Sequence, residues 1–169
     1  MRTVANLHVT TPSEREIVMT RLFSAPRELV YDCYTKPELL KRWMHGPDGW
    51  RLVVCENDLR VGGAFRWVWR GPDGQEMGMG GVHREIVHPR RIVRTELFDE
   101  DWTGGEVLGT LALSEQDGRT TVTTTMLFAT KEARDGALKT GMADGMGAGF
   151  DRLDMLLASL QAGVKGAAA

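Results

Sequence analysis

The sequence has 169 residues, 42% of them hydrophobic and 26% charged, with a formal net charge of -2. These totals suit one globular domain with a sizeable core and give no global electrostatic basis for binding nucleic acid or an acidic membrane. No apolar run approaches membrane-spanning length, and the two cysteines, Cys33 and Cys55, make neither a disulfide framework nor a zinc-ligand spacing, so a cytoplasmic protein with buried, reduced thiols is expected.

Residues 1–13 are weakly patterned, contain Pro12 and read as a flexible arm, with 4–9 able to add to a sheet edge. Residues 14–23 alternate as a strand, with Ile17, Met19 and Arg21 on one side and Val18, Thr20 and Leu22 on the other. Ser24-Ala25-Pro26 stops it and starts a short helix over 27–35, with the proline in its first turn. Lys36-Pro37 breaks that helix, and 38–44 makes a second one carrying Leu39, Leu40 and Trp43. After the loop 45–49, strands come at 50–57 and 64–70, separated by a turn or bulge at Val61-Gly62-Gly63. The second of these places Phe65, Trp67 and Trp69 on one face. Gly71-Pro72-Asp73-Gly74 is a hairpin signal, and further strands are expected at 75–87, 91–98, 106–114 and 120–128. Residues 120–125 are almost all threonine or valine and read as an exposed edge through which two copies could pair as a homodimer.

Residues 131–160 read as one long helix capped by Thr130. Leu138, Met142, Met146, Phe150, Leu153, Leu157 and Leu160 recur at three- and four-residue steps, leaving Asp135, Lys139, Asp144, Asp151 and Asp154 to point elsewhere. Interior glycines at 136, 141, 145, 147 and 149 each cost about 1 kcal/mol relative to alanine, so this helix needs a broad apolar partner. Residues 161–169 read as a flexible tail, which leaves 14–160 as a single domain. The order of strand, two short helices, a run of hairpin-linked strands and a long helix indicates an α+β fold: an antiparallel sheet of about seven strands, curled around the C-terminal helix.

Several segments resemble a known family. Phe23-Ser24-Ala25-Pro26-Arg27-Glu28-Leu29-Val30, Arg42-Trp43, the run from Cys55-Glu56-Asn57 through Val61-Gly62-Gly63, Arg70-Gly71-Pro72-Asp73-Gly74, Gly81 with Arg84-Glu85-Ile86, and Gly145 with Asp151-Arg152-Leu153 resemble bacterial proteins related to the C-terminal domain of the heat-shock protein 90 ATPase activator. That family lies within the START-like, polyketide-cyclase-like (SRPBCC) superfamily. The resemblance implies the helix-grip fold over about 14–160. The superfamily includes lipid carriers, hormone receptors, cyclases and chaperone cofactors, so the fold leaves the activity open. Where relatives commonly carry bulkier residues, this chain has Met44 and Met146-Gly147-Ala148-Gly149, which implies a larger or more adaptable cavity.

The expected site is a cavity between sheet and helix. Trp43, Phe65, Trp67, Trp69, Met77 and Met79 are candidates for one wall, and Met142, Met146 and Phe150 for the other. Two-residue alternation places His83 and Glu85 on the face of Met77 and Met79, where they could act as acid and base or orient a polar ligand. Arg94 and Glu96 share a face of the next strand. His8, His45, His83 and His88 are scattered without metal-ligand spacing, and no metal, cofactor, nucleic acid or membrane insertion is expected. Three readings are open: a carrier of a small, largely apolar or aromatic ligand; a cyclase- or hydrolase-type enzyme using His83 and Glu85; and a stress-related module that contacts a chaperone.

Overall fold

The computed structural model describes residues 2–4 and 6–168. Its strands are β1 (Arg2–Val4), β2 (Leu7–Thr10), β3 (Glu16–Phe23), β4 (Arg51–Asn57), β5 (Ala64–Arg70), β6 (Glu76–Val87), β7 (Arg91–Phe98), β8 (Val107–Gln116) and β9 (Arg119–Leu127). They form one nine-stranded sheet in the order β1-β2-β3-β9-β8-β7-β6-β5-β4. Every neighbouring pair is antiparallel. The helices are α1 (Arg27–Thr35), α2 (Pro37–Trp43), α3 (Lys131–Lys139) and α4 (Met142–Ala168). This is the α+β helix-grip arrangement: a curved antiparallel sheet, two short helices between β3 and β4, and a long C-terminal helix.

The two strands beyond the expected seven come from the segment read as an arm. Within residues 1–13, β2 pairs with β3 through His8↔Thr20, Val9↔Met19 and Thr10↔Val18. Leu7 is fully buried and Val9 nearly so. The edge of β3 offers unpaired backbone groups, and two apolar side chains leave water by pairing there. Arg134 from α3 donates to the Ser13 carbonyl at 2.7 Å, tying down the end of the same segment. The expected exposed edge at 120–125 is likewise corrected. Here β9 has β3 on one side and β8 on the other, so its ladder is paired on both sides.

The expected single helix over 131–160 is two. Thr130 caps α3 as expected, its hydroxyl accepting from the Ala133 amide at 3.1 Å. At the other end the Thr140 hydroxyl donates to the Ala137 carbonyl at 2.7 Å, and Gly141 takes φ +76, a left-handed turn that glycine adopts without steric penalty. The turn resets the helical phase, and Leu138, expected on the buried stripe, is 38% exposed. Beyond the turn the stripe holds: Phe150, Leu153 and Leu157 are buried. Phe150 meets Phe23 of β3 edge-to-face, ring centroids 6.0 Å apart, and lies 6.2 Å from Trp43 of α2. Backbone helix continues through the expected tail to Ala168, with Gln161 donating to the Ser24 carbonyl at 3.0 Å. Among the described residues no helix is long and apolar enough to cross a membrane.

Charge also joins helix to sheet. Arg21, on the face of β3 that turns toward α4, is only 4% exposed. Its guanidinium reaches Asp151 at 2.8 Å and Asp154 at 2.6 Å. Those aspartates are therefore partners of the sheet.

Candidate functional site

Alternation along β5 turns Phe65, Trp67 and Trp69 into the concave face, all three buried. The rings form a continuous aromatic row, with centroids 4.8 Å apart for Phe65–Trp67 and 6.0 Å for Trp67–Trp69. Register places Cys55 and Met79 beside Trp67, and Asn57 and Gly81 beside Phe65. At Gly81 the strands approach closely: an added Cβ would overlap the Thr95 carbonyl oxygen and crowd the Phe65 ring. Glycine is needed there for the row to pack.

Of the expected wall, Trp43, Met79 and Phe150 are buried with this row. Met142 and Met146 are half-buried and pack against the core. Met77 is 40% exposed, although it pairs with Trp69, because it sits at the hairpin end of β6.

The expected pairing of His83 with Glu85 does not form. The ladder runs His83↔Arg94 and then Glu85↔Val93, a bulge that inserts one residue and reverses the facing of the remainder of the strand. His83 is 1% exposed. Glu85 points outward, where its carboxylate meets Arg91 at 3.3 Å.

His83 is instead held by Asn57. The Asn57 amide nitrogen donates to the Thr35 carbonyl at 2.9 Å, which leaves its Oδ1 as the acceptor facing His83 Nε2 at 2.6 Å. Nε2 therefore carries the proton, and Nδ1 presents a lone pair. Burial, reinforced by the Arg94 charge and opposed by Asp58, pushes the imidazole pKa down.

Arg94 lies over the aromatic row, its guanidinium carbon 4.5 Å from the Phe65 centroid and 4.4 Å from that of Trp67. Its Nε donates to Glu96 at 3.1 Å. Among the described residues, the Trp67 indole nitrogen, His83 Nδ1 and the Tyr34 hydroxyl are buried without a protein partner, as are Arg21 Nε, Arg27 Nε and the Tyr31 hydroxyl. By contrast, the Trp69 indole donates to the Met44 carbonyl and that of Trp43 to the Cys33 carbonyl. The Tyr34 ring packs 5.0 Å from Trp43. Burial raises the Tyr34 phenol pKa, against the pull of Arg94 and Arg21.

Asn57, Tyr34 and the Arg94–aromatic contact were not identified as site features by sequence reasoning. Asn57 had one usable signal, its place at the end of the strand beside Phe65. Tyr34 had none, because its direction depends on how α1 docks.

Cys33 and Cys55 are buried, which pushes both thiols up to about 11 and keeps them protonated near neutral pH. Among the described residues no cluster of His, Cys, Asp and Glu could hold a metal ion. Among the described residues, two surface depressions stand out. One, about 490 Å3, is lined by Ser13, Glu14, Arg15, Glu16 and Leu127. The other, about 270 Å3, is lined by Arg42, Arg152, Met155, Leu156 and Ser159. Neither involves the aromatic row, Arg94 or Met146.

A family model described as Activator of Hsp90 ATPase homolog 1-like protein matches residues 24–158. No curated protein matches. Among solved structures, a crystal structure from Rhodobacter sphaeroides is 34% identical, covering 91% of this chain and 99% of that one, with a TM-score of 0.87. A Nitrosomonas europaea crystal structure is 27% identical, covering 90% and 99%, with a TM-score of 0.79. A solution structure from Staphylococcus epidermidis is 29% identical, covering 88% and 93%, with a TM-score of 0.77.

Proposed function

Because this chain belongs to the Activator of Hsp90 ATPase homolog 1-like family, we propose that it is a ligand-binding helix-grip protein that holds a small, largely aromatic molecule between its sheet and α4. One observation carries the reading: polar atoms of Trp67, His83 and Tyr34 are buried without partners, the Trp67 ring carrying the Arg94 guanidinium and His83 pairing with Arg94 across the ladder. Unpartnered buried groups are rare in folded proteins and carry a desolvation penalty. A bound molecule with polar substituents would remove that penalty here. On α4, Met142 and Met146 are partly buried against the same core, and their flexible thioethers would yield to admit it.

Binding is favoured over catalysis because Glu85, the carboxylate expected to work with His83, faces solvent, and Glu96 is engaged with Arg94. Native mass spectrometry of gently purified protein, followed by tryptophan fluorescence against small aromatic and lipid-like molecules, tests the reading. A co-purifying mass, or saturable quenching that disappears in Trp67→Phe, is the expected result. No bound mass and no quenching overturns it and turns attention to a chaperone partner.

A further inference from the structure

Helices α2 and α4 meet at the depression of about 270 Å3 lined by Arg42, Arg152, Met155, Leu156 and Ser159. The four α4 residues stand at positions i, i+3, i+4 and i+7, so they form one stripe of that helix. Arg42 comes from the last turn of α2.

This face combines free positive charge with apolar surface. Arg152 uses one of its five donors: Nε gives to the Trp43 carbonyl at 2.9 Å. That bond anchors the guanidinium at the end of α2. The four N–H groups on its Nη atoms make no further hydrogen bond among the described residues. Arg42 is exposed and has neither a hydrogen bond nor an ion pair among the described residues. Asp151 and Asp154, the acidic residues nearest Arg152 along α4, are drawn to Arg21 at 2.8 and 2.6 Å. Two guanidinium groups therefore share one depression with no carboxylate paired to either. Met155 is 74% exposed, more than any other large apolar side chain among the described residues, and its neighbour Leu156 is buried.

These properties select a ligand. A hydrocarbon would cover Met155 but take water from the guanidinium groups without replacing it. A small inorganic anion would pair with the arginines and leave Met155 in water. A cation is repelled. A carboxylate on a short apolar body suits both halves. Its two oxygens match the planar guanidinium fork, and its body lies on an adaptable thioether. The depression is slightly smaller than the pockets of about 300–1,000 Å3 that enclose drug-sized ligands, which limits the occupant to a small molecule.

We propose that the α2–α4 face is a second binding site, for a small amphipathic carboxylate whose head group is held by Arg42 and Arg152 and whose apolar body rests on Met155. None of its residues belongs to the aromatic row, and it is independent of the function proposed above.

Hexanoate, acetate and 1-hexanol separate the contributions of head group and chain. Each is titrated into protein carrying 13C-methyl methionine while the Met155 methyl resonance, identified by its loss in Met155→Leu, is followed. Hexanoate should shift this resonance saturably and bind about ten-fold more tightly than acetate or hexanol. Arg42→Gln should weaken hexanoate about ten-fold and change hexanol less than about two-fold. Hexanol binding as tightly as hexanoate, or hexanoate binding unchanged in Arg42→Gln, overturns the role of the arginines. Acetate binding as tightly as hexanoate overturns the apolar half, and no saturable shift overturns the site. Sedimentation of the protein with vesicles of phosphatidylcholine and phosphatidylglycerol, lost in Arg42→Gln and without hexanoate binding, assigns the face to a membrane surface and equally overturns the proposal. The three-probe comparison uses the unaltered protein, so misfolding of a variant cannot mask it.

Discussion

His83 donates from Nε2 to Asn57 Oδ1 across 2.6 Å, and the second hydrogen bond of Asn57, to the Thr35 carbonyl, fixes which way that amide faces. β6, β4 and the end of α1 are joined through one amide, that of Asn57. The same contact fixes the tautomer that leaves Nδ1 directed away from Asn57.

This arrangement makes stability pH-dependent. The folded pKa of His83 is depressed, first by burial and then by Arg94. The unfolded imidazole binds a proton near pH 6.5, so the unfolded state takes up protons that the folded state refuses. Stability is therefore fully present above about pH 6.5 and is lost as pH falls below it, with a slope no steeper than about 1.4 kcal/mol per pH unit. Urea unfolding measured between about pH 8 and pH 5 should show this decline, and His83→Gln should flatten it. An unchanged slope in His83→Gln would assign the proton uptake to another group.

Phe150→Ala should destabilise the fold by about 3–5 kcal/mol, the usual consequence of truncating a buried phenylalanine. The ring is 4% exposed and touches both Phe23 and Trp43. A loss below about 0.5 kcal/mol in chemical denaturation would place the ring outside the core.

The Arg21 cluster should respond asymmetrically. Asp151→Asn combined with Asp154→Asn leaves a guanidinium that is 3% exposed without its carboxylates, a loss of about 3–5 kcal/mol. Arg21→Met removes the buried charge and returns the aspartates, 55% and 44% exposed, to water. Its loss should be the smaller of the two. Chemical denaturation of both variants decides, and the reverse order would show that the arginine is already well solvated.

Glu85→Gln should leave ligand binding unchanged and stability within about 0.5 kcal/mol, as for surface substitutions away from special features. Its pair with Arg91 is exposed on both sides, and exposed pairs contribute little. Loss of binding in this variant would put Glu85 back in the site.

The sequence was most informative where a residue's facing depends only on its neighbours along the chain. Phe65, Trp67 and Trp69 share a face because a strand alternates, and Phe150, Leu153 and Leu157 share one because a helix repeats. The strand-rich order with its closing helix was readable for the same reason, and motif resemblance identified the family. Glu85 was misplaced because a bulge depends on how two strands pair and leaves no mark in alternation. The break at Gly141 was hidden because a glycine inside a helix and one at its end look alike in sequence.

By itself, then, the sequence determined the α+β class, the helix-grip arrangement, the aromatic row and the buried stripe of the last helix, through local periodicity and motif resemblance. Tertiary structure alone decided the placement of Arg94 on the rings of Phe65 and Trp67, the hold of Asn57 on His83, the bonds from Arg21 to α4 and the docking of β2 onto β3. Each joins residues that are not neighbours along the chain, whose meeting is set by sheet register and helix docking.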